Sequence, residues 1–270
     1  MGQIKINYLL LLLVWIILAV IFGIYDLEIS RQIVNQNSGW AKFLQDYGMI
    51  PGLLVILSGV FIYYSHIKSQ TDFWSYLKQI FFFLVSAGLI FYLFDIFFEN
   101  YTSSYFLLFA ILSAVISLII FIFIKKKQEV TNTIAIKFAK VVVEVALFGY
   151  VICIQVVKYF WGRVRFRELD SAFSQFTPWY LPQGITGFDS FPSGHAAMGW
   201  ILLPILILFS NKKVWIKNLV FIFIFFWAVA LALSRVVIGA HYASDVLFGS
   251  FFIIMTFLMF SKNRFDNARS

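Results

Sequence analysis

Apolar residues fill long stretches of this chain, and polar residues gather at the ends of those stretches. Eight apolar segments can be marked: Tyr8–Ile24, Met49–Tyr64, Leu77–Phe98, Ser104–Ile124, Ile134–Val157, His195–Phe209, Val214–Leu233 and Tyr242–Phe260. An α-helix needs about 20 such residues to cross a bilayer. The sixth and eighth segments are short, so each must draw on its polar N-terminal lead-in. No repeat, low-complexity linker or separate soluble domain is visible. The pattern predicts an all-α, polytopic transmembrane helix bundle of about eight spans, forming one integral membrane domain over residues 1–270. The first segment has the look of a signal peptide, but its apolar run is about 17 residues and no small-x-small site follows, so it reads as an uncleaved span.

Composition agrees with that pattern. Of 270 residues, 61% are hydrophobic and only 13% are charged, against about half and a quarter in soluble domains. The single cysteine, Cys153, excludes an internal disulfide.

The formal charge of +8 changes the picture only through its distribution. With the N-terminus in the cytoplasm and alternating spans, 14 Lys/Arg fall on the cytoplasmic side, including Lys5, Lys68, Lys125, Lys212, Lys262, Arg264 and Arg269. Seven fall outside: Arg31, Lys42, Lys158, Arg163, Arg165, Arg167 and Arg235. This bias follows the positive-inside rule and places both termini in the cytoplasm. The charge is therefore a topology signal, and no nucleic-acid partner is expected. The same topology puts residues 159–194 in an extracytoplasmic interfacial loop.

Four helix ends then meet on the outer face, within a core spanning residues 134–260. The fifth span runs into "KYFWGRVRF", with Lys158 and Arg165 seven apart. The sixth opens with "PSGH", Pro192 to His195, and the junction of the seventh and eighth reads "SRVVIGAHYASD", Ser234 to Asp245. A helix N-terminus offers free N–H groups and the positive end of the macrodipole, which suits an anion. Ser193 can cap or donate, Gly194 permits close backbone approach, and Lys158, Arg165 and Arg235 supply charge-assisted donors. The set reads as a phosphate cradle. His241 and Asp245 are four apart and share a helix face. A carboxylate accepting from one imidazole nitrogen leaves the other free as a nucleophile. His195, across the cradle, suits a general acid and then a base for water. The chemistry is phosphoryl transfer through a phospho-histidine.

Lys-x6-Arg, Pro-Ser-Gly-His and Ser-Arg-x5-His-x3-Asp resemble the three-part signature of the type-2 phosphatidic acid phosphatase superfamily, which also holds vanadium haloperoxidases and glucose-6-phosphatase. The resemblance covers about Lys158 to Asp245. It implies His241 as nucleophile, Asp245 as its partner and His195 as acid/base. It implies Lys158, Arg165, Ser193, Gly194 and Arg235 as phosphate ligands, and no metal or other cofactor. Phe166 stands where the family usually has proline, which predicts a changed loop turn. The family commonly has six spans, so the first two would be additions to a six-helix core.

Other readings bear on single residues. Arg163 and Arg167 read as interfacial residues flanking Arg165. Glu144, in mid-span, reads as a hydrogen-bonded or neutral structural group. Trp161, Phe166, Phe173, Phe176, Trp179, Tyr180 and Phe188 form either an aromatic belt or a rim guiding a lipid to the cradle. A transporter would carry polar residues through the midplane; here they sit at one face. The sequence thus predicts a metal-independent lipid phosphate phosphatase of the cell membrane, acting at the outer leaflet on phosphatidate, phosphatidylglycerol phosphate or undecaprenyl diphosphate. Lipid A dephosphorylation or phosphate transfer between lipids is the alternative. No obligatory protein partner is evident.

Overall fold

A computed structural model of the protein describes residues 8–67, 73–98, 105–127 and 130–266. Lys5, Lys68, Ser104 and Arg269 lie outside the described residues, as does the side chain of Arg264. Every regular element among the described residues is helical: α1 (Tyr8–Ile33), α2 (Gly39–Tyr47), α3 (Ile50–Ile67), α4 (Phe73–Phe97), α5 (Phe106–Lys126), α6 (Thr133–Glu144), a π-helical stretch Val145–Val156, α7 (Val157–Trp161), a 3-10 turn Phe166–Glu168, α8 (Gly194–Trp200), α9 (Ile205–Leu208), α10 (Val214–Val237) and α11 (Ala243–Asp266). Among the described residues, seven helices are long and apolar enough to cross a membrane. Their outward faces are apolar, with Leu10, Leu13 and Ile17 on α1 and Phe223 and Phe226 on α10 exposed. Such surface suits lipid, where helices satisfy their own backbone groups.

Two departures from the apolar pattern have physical causes. The sixth segment is a broken helix, Gly194–Leu208, shorter than the seven. Pro204 stands at the break; it has no N–H to donate, and its ring clashes with the carbonyl one turn back. In the other direction, α1 runs nine residues past the apolar segment that ends at Ile24, because Asp26 and Ser30 are themselves fully buried. The amphipathic α2 has no long apolar run to announce it.

The chain's contacts gather into two compact units. One holds Met49–Leu147, Ile201–Ile224 and Phe257–Ser270. In it α3 packs on α6, with Gly59 against Val142, and α4 packs on α5, where the buried Ser86 and Ser117 hydroxyls bond to each other. Asn132 caps α6 by accepting from the amides of Ile134 and Ala135 at 3.0 and 3.1 Å. Glu144 ends α6, half-buried, where the π-helical stretch begins.

The other unit holds Met1–Gly48, Phe148–Trp200 and Phe225–Thr256, and carries every motif residue. Gly162, at φ +66°, ends α7 in the left-handed conformation and turns the chain into the long loop. That loop returns along its own start: Gln183 N donates to Trp161 O at 2.8 Å, Thr186 Oγ1 to Gly162 O at 2.9 Å, and Ser190 N to Arg163 O at 2.9 Å. Its aromatics are anchored more than splayed. Trp179 lies 4.5 Å from Phe248 of α11 and donates its indole N–H to Ala19 O of α1. Phe191 packs on Trp161 and Phe248. Tyr180, Leu181 and Ile185 are exposed. Phe166 opens the 3-10 turn and stacks on Phe173.

Candidate active site

The folded-back loop brings the first two motifs together. Lys158 lies in α7, and Arg165 follows the left-handed turn at Gly162. Between them lies Asp189, from the returning limb: its carboxylate accepts from Lys158 Nζ at 3.2 Å and from Arg165 Nη2 at 2.5 Å. Arg165 also reaches Glu168 at 3.2 Å. Burial alone would push the Asp189 carboxyl up, but the charges of Lys158 and Arg165 outweigh it and hold the group below the usual carboxylate range.

Three residues on, Pro192 follows a cis Phe191–Pro192 peptide. Ser193 N donates to the backbone oxygen of Asp245 at 2.9 Å, tying the head of α8 to α11. Gly249, one turn past Asp245, makes that approach possible, because a Cβ there would strike the Ser193 carbonyl. Gly194 is less confined: its Cβ would meet nothing nearer than Tyr150 Oη at 3.4 Å.

The third motif hangs from the end of α10. The carbonyl of Arg235 accepts from the amides of Ala240 and His241 at 3.0 and 3.2 Å, and Gly239 takes φ +72° in the same turn. This turn delivers His241, which is buried at 2% exposure. Its Nδ1 lies 2.6 Å from the carbonyl oxygen of Ser190 and 3.6 Å from Asp245 Oδ2. A carbonyl can only accept, so Nδ1 carries the proton and Nε2 keeps its lone pair. The tautomer is therefore set by the Ser190 backbone, and Asp245, beyond hydrogen-bond reach, acts on the ring by charge. Burial drives the His241 pKa down to about 4; Asp245 opposes that shift, and Lys158 and Arg235 add to it. The charges of Lys158 and Arg235 reach His195 as well, so these two cations and both imidazoles share one neighbourhood.

His195 Nε2 lies 3.0 Å from the carbonyl oxygen of Gln45 on α2. By the same argument Nε2 is protonated in the neutral ring, and Nδ1 is the nitrogen able to accept.

Asp245 is saturated by other partners. Oδ1 accepts from Arg163 Nη1 at 2.5 Å; Oδ2 accepts from Ser190 Oγ at 2.5 Å and from Tyr242 N at 2.9 Å. Arg163, read from sequence as interfacial, is instead 1% exposed. Its fork spans two carboxylates, with Nη2 on Asp26 at 2.9 Å, while Nε donates to Thr177 O and the guanidinium sits 4.0 Å from the Tyr242 ring centroid. Arg167 turns away to Gln45 Oε1 at 3.3 Å. Asp26, Gln45, Asp189 and Ser190 thus complete an arrangement that motif spacing alone did not reveal. Among the described residues no group of three His, Cys, Asp or Glu side chains is placed to share a metal ion.

Comparison with known proteins adds an independent line. Residues 138–269 match the family model described as PAP2 superfamily. A lipid A 1-phosphatase of Rhizobium etli is 34% identical over 98 residues, covering 34% of this chain and 38% of the relative. A lipid A 1-phosphatase of Rhizobium johnstonii is 36% identical over 84 residues, covering 29% and 31%. The chain thus spans about a third of the length of the curated relatives it matches. No solved structure matches it. Residues 138–269, just under half of the chain and holding all three motifs, are thus similar to the PAP2 superfamily.

Proposed function

We propose that the protein is a membrane phosphatase that removes phosphate from a lipid phosphate ester or anhydride at the outer leaflet, through a phospho-histidine. The observation that carries this is the His241 ring: Nδ1–H is held by Ser190 O at 2.6 Å, leaving Nε2 as an unprotonated nucleophile beside buried cations.

In the first step His241 Nε2 bonds to phosphorus as the P–O bond to the lipid breaks. Lys158, Arg165 and Arg235 stabilise the charge on the equatorial oxygens, with the amides and hydroxyl at Ser193 and Gly194. The leaving oxygen takes its proton from His195 Nδ1; burial and the neighbouring cations hold that ring's pKa well below its ordinary value, so the negative charge of the bound phosphate must draw the second proton onto it. His195, now neutral, accepts a proton from water at Nδ1. The water oxygen bonds to phosphorus, the N–P bond breaks, and inorganic phosphate leaves. Asp245 stabilises the imidazolium that His241 becomes while phosphorylated.

The positive-inside bias supports an outer-leaflet site. Both relatives carry lipid A 1-phosphatase as their name, which moves phosphorylated lipid A to the front of the candidate substrates, ahead of phosphatidate, phosphatidylglycerol phosphate and undecaprenyl diphosphate. The test is phosphate release by the purified protein from each of these four lipids, with and without excess EDTA. Turnover of at least one, surviving EDTA and abolished in His241→Ala with insertion and folding intact, is the expected result. Wild-type turnover in that variant would overturn the nucleophile assignment.

A further inference from the structure

We infer that Asp26, on α1, is a positioning residue for the His241 imidazole, acting through Arg163 and Asp245. The inference rests on the phosphatase mechanism above, and it gives the first helix a role in it.

Three charged side chains, Asp26, Arg163 and Asp245, lie together at 1% exposure or less. Desolvating such a triad is costly, and apolar residues of the same volume often stabilise a fold as well or better. The triad is better explained by the orientation it imposes. Each Asp26 oxygen has a fixed task. Oδ1 accepts from Ser244 N at 2.9 Å, which satisfies one of the orphan amides in the first turn of α11. Oδ2 accepts from Arg163 Nη2 at 2.9 Å and from the Ser244 hydroxyl. Asp26 therefore holds both the helix that carries Asp245 and the guanidinium that grips it.

The rest of the chain of contacts is short. Arg163 Nη1 fixes Asp245 Oδ1 at 2.5 Å, and Asp245 Oδ2 takes the Ser190 hydroxyl at 2.5 Å. Ser190 then offers its carbonyl to His241 Nδ1 at 2.6 Å. Without the Asp26 charge the guanidinium pairs with Asp245 alone, and an amide in its place offers one acceptor oxygen where the Ser244 amide and Arg163 Nη2 need two. Asp245 and Ser190 are then free to shift, and His241 Nε2 loses its aim at phosphorus. Asp26 contacts none of Lys158, Arg165 or Arg235 in this network, so phosphate binding should be spared.

The placement of α1 is consistent with this role. Trp15 stacks on Phe251 of α11 at 4.2 Å, and Trp179 bonds to Ala19 O while lying over Gly23, where a Cβ would approach its Nε1 to 2.8 Å. These contacts set the register of α1 against α11. The PAP2 match begins at residue 138, so Asp26 reaches the site from outside the family segment.

The test uses the full chain in detergent and whichever of the four lipids the wild type turns over fastest, with orthovanadate as a probe of the cradle. Asp26→Asn should lower kcat roughly 10- to 100-fold, a loss of aim and not of binding. KM and the vanadate inhibition constant should stay within about threefold. Ser244→Ala keeps both charges and removes only the hydroxyl, which accepts from Arg163 Nη1 at 2.9 Å and donates to Asp26 Oδ2. It should lower kcat several-fold in the same way, and it serves if Asp26→Asn does not fold. The double variant should lose less than the product of the two single effects. Wild-type kcat in Asp26→Asn would overturn the inference, as would kcat and vanadate affinity falling together. For Ser244→Ala, wild-type kcat or a parallel loss of vanadate affinity would do the same. A wild-type chain that neither hydrolyses the lipids nor binds vanadate would remove the phosphatase mechanism itself, and this inference with it.

Discussion

The carboxylate of Asp189 accepts from the guanidinium of Arg165 at 2.5 Å, and its second oxygen takes Lys158 at 3.2 Å. A carboxylate presents two oxygens as a phosphate does, so Asp189 holds the geometry that two cradle cations would offer a substrate. A phosphate group must therefore displace it or share its partners. Asp189→Asn removes the charge and keeps the shape. Because the side chain is 44% exposed, solvent screens the competition and the gain is modest. Vanadate and inorganic phosphate should inhibit that variant roughly three- to tenfold more tightly than the wild type, read from product-inhibition constants. Weaker inhibition would show that Asp189 organises the cations without competing for them.

His241 sets a pH limit. Its folded pKa is about 4, below the 6.5 of a free imidazole. The neutral, nucleophilic ring should persist to about pH 4, so the acidic limb of kcat/KM that belongs to this group should fall there. Stability follows the same sign. Between pH 6.5 and 4 the unfolded chain binds the proton that the folded ring refuses, so stability falls as pH drops through that window and is unaffected by this group above it. Thermal unfolding of the wild type and of His241→Ala between pH 4 and 7 checks the second statement by difference, since the buried His195 takes up a proton on unfolding over the same window; Asp189, also held low, does not titrate in its upper part.

Arg163 should prove more important to folding than its place between motif positions suggests. Replacing it with Gln or Ala leaves Asp26 and Asp245 buried with no cation between them. Loss of one partner from a buried ion network costs about 3–5 kcal/mol. The expected outcome is a lower unfolding temperature together with lost turnover. Arg163→Lys should restore little, since an ammonium cannot span two carboxylates with separate nitrogens and also donate to Thr177 O.

The sequence was informative where function needs a fixed spacing. Lys158, Arg165, Ser193, His195, Arg235, His241 and Asp245 all fall within one compact unit. The helical frame was legible from apolar runs, except where Pro204 breaks one and where α2 has none. Asp26, Gln45 and Asp189 were missed because each reaches the site through tertiary contact, and Gln45 does so through its backbone oxygen, which no side-chain pattern records. One signal was available. Asp26 is an acid two residues past the apolar run that ends at Ile24, and a carboxylate at the edge of a span needs a partner.

The two glycines around Ser193 should respond differently to the same added methyl group. At Gly194, inside the motif, a Cβ meets nothing nearer than Tyr150 Oη at 3.4 Å, an ordinary contact. Gly194→Ala should therefore fold normally, and any loss should appear as weaker phosphate and vanadate binding, where the ligand has to approach the backbone. At Gly249, outside the motif, the Cβ strikes the Ser193 carbonyl and lies 3.2 Å from its carbon. Both are main-chain atoms that cannot rotate away, and Ser193 N is itself held by Asp245 O at 2.9 Å. Gly249→Ala must push α8 off α11, so it should lower the unfolding temperature and turnover together, by about 1–3 kcal/mol in stability. Unfolding temperatures of the two variants, measured beside their vanadate inhibition constants, decide the matter. A Gly249→Ala protein as stable as Gly194→Ala would show that the contact between Ser193 and α11 is looser than the distances imply.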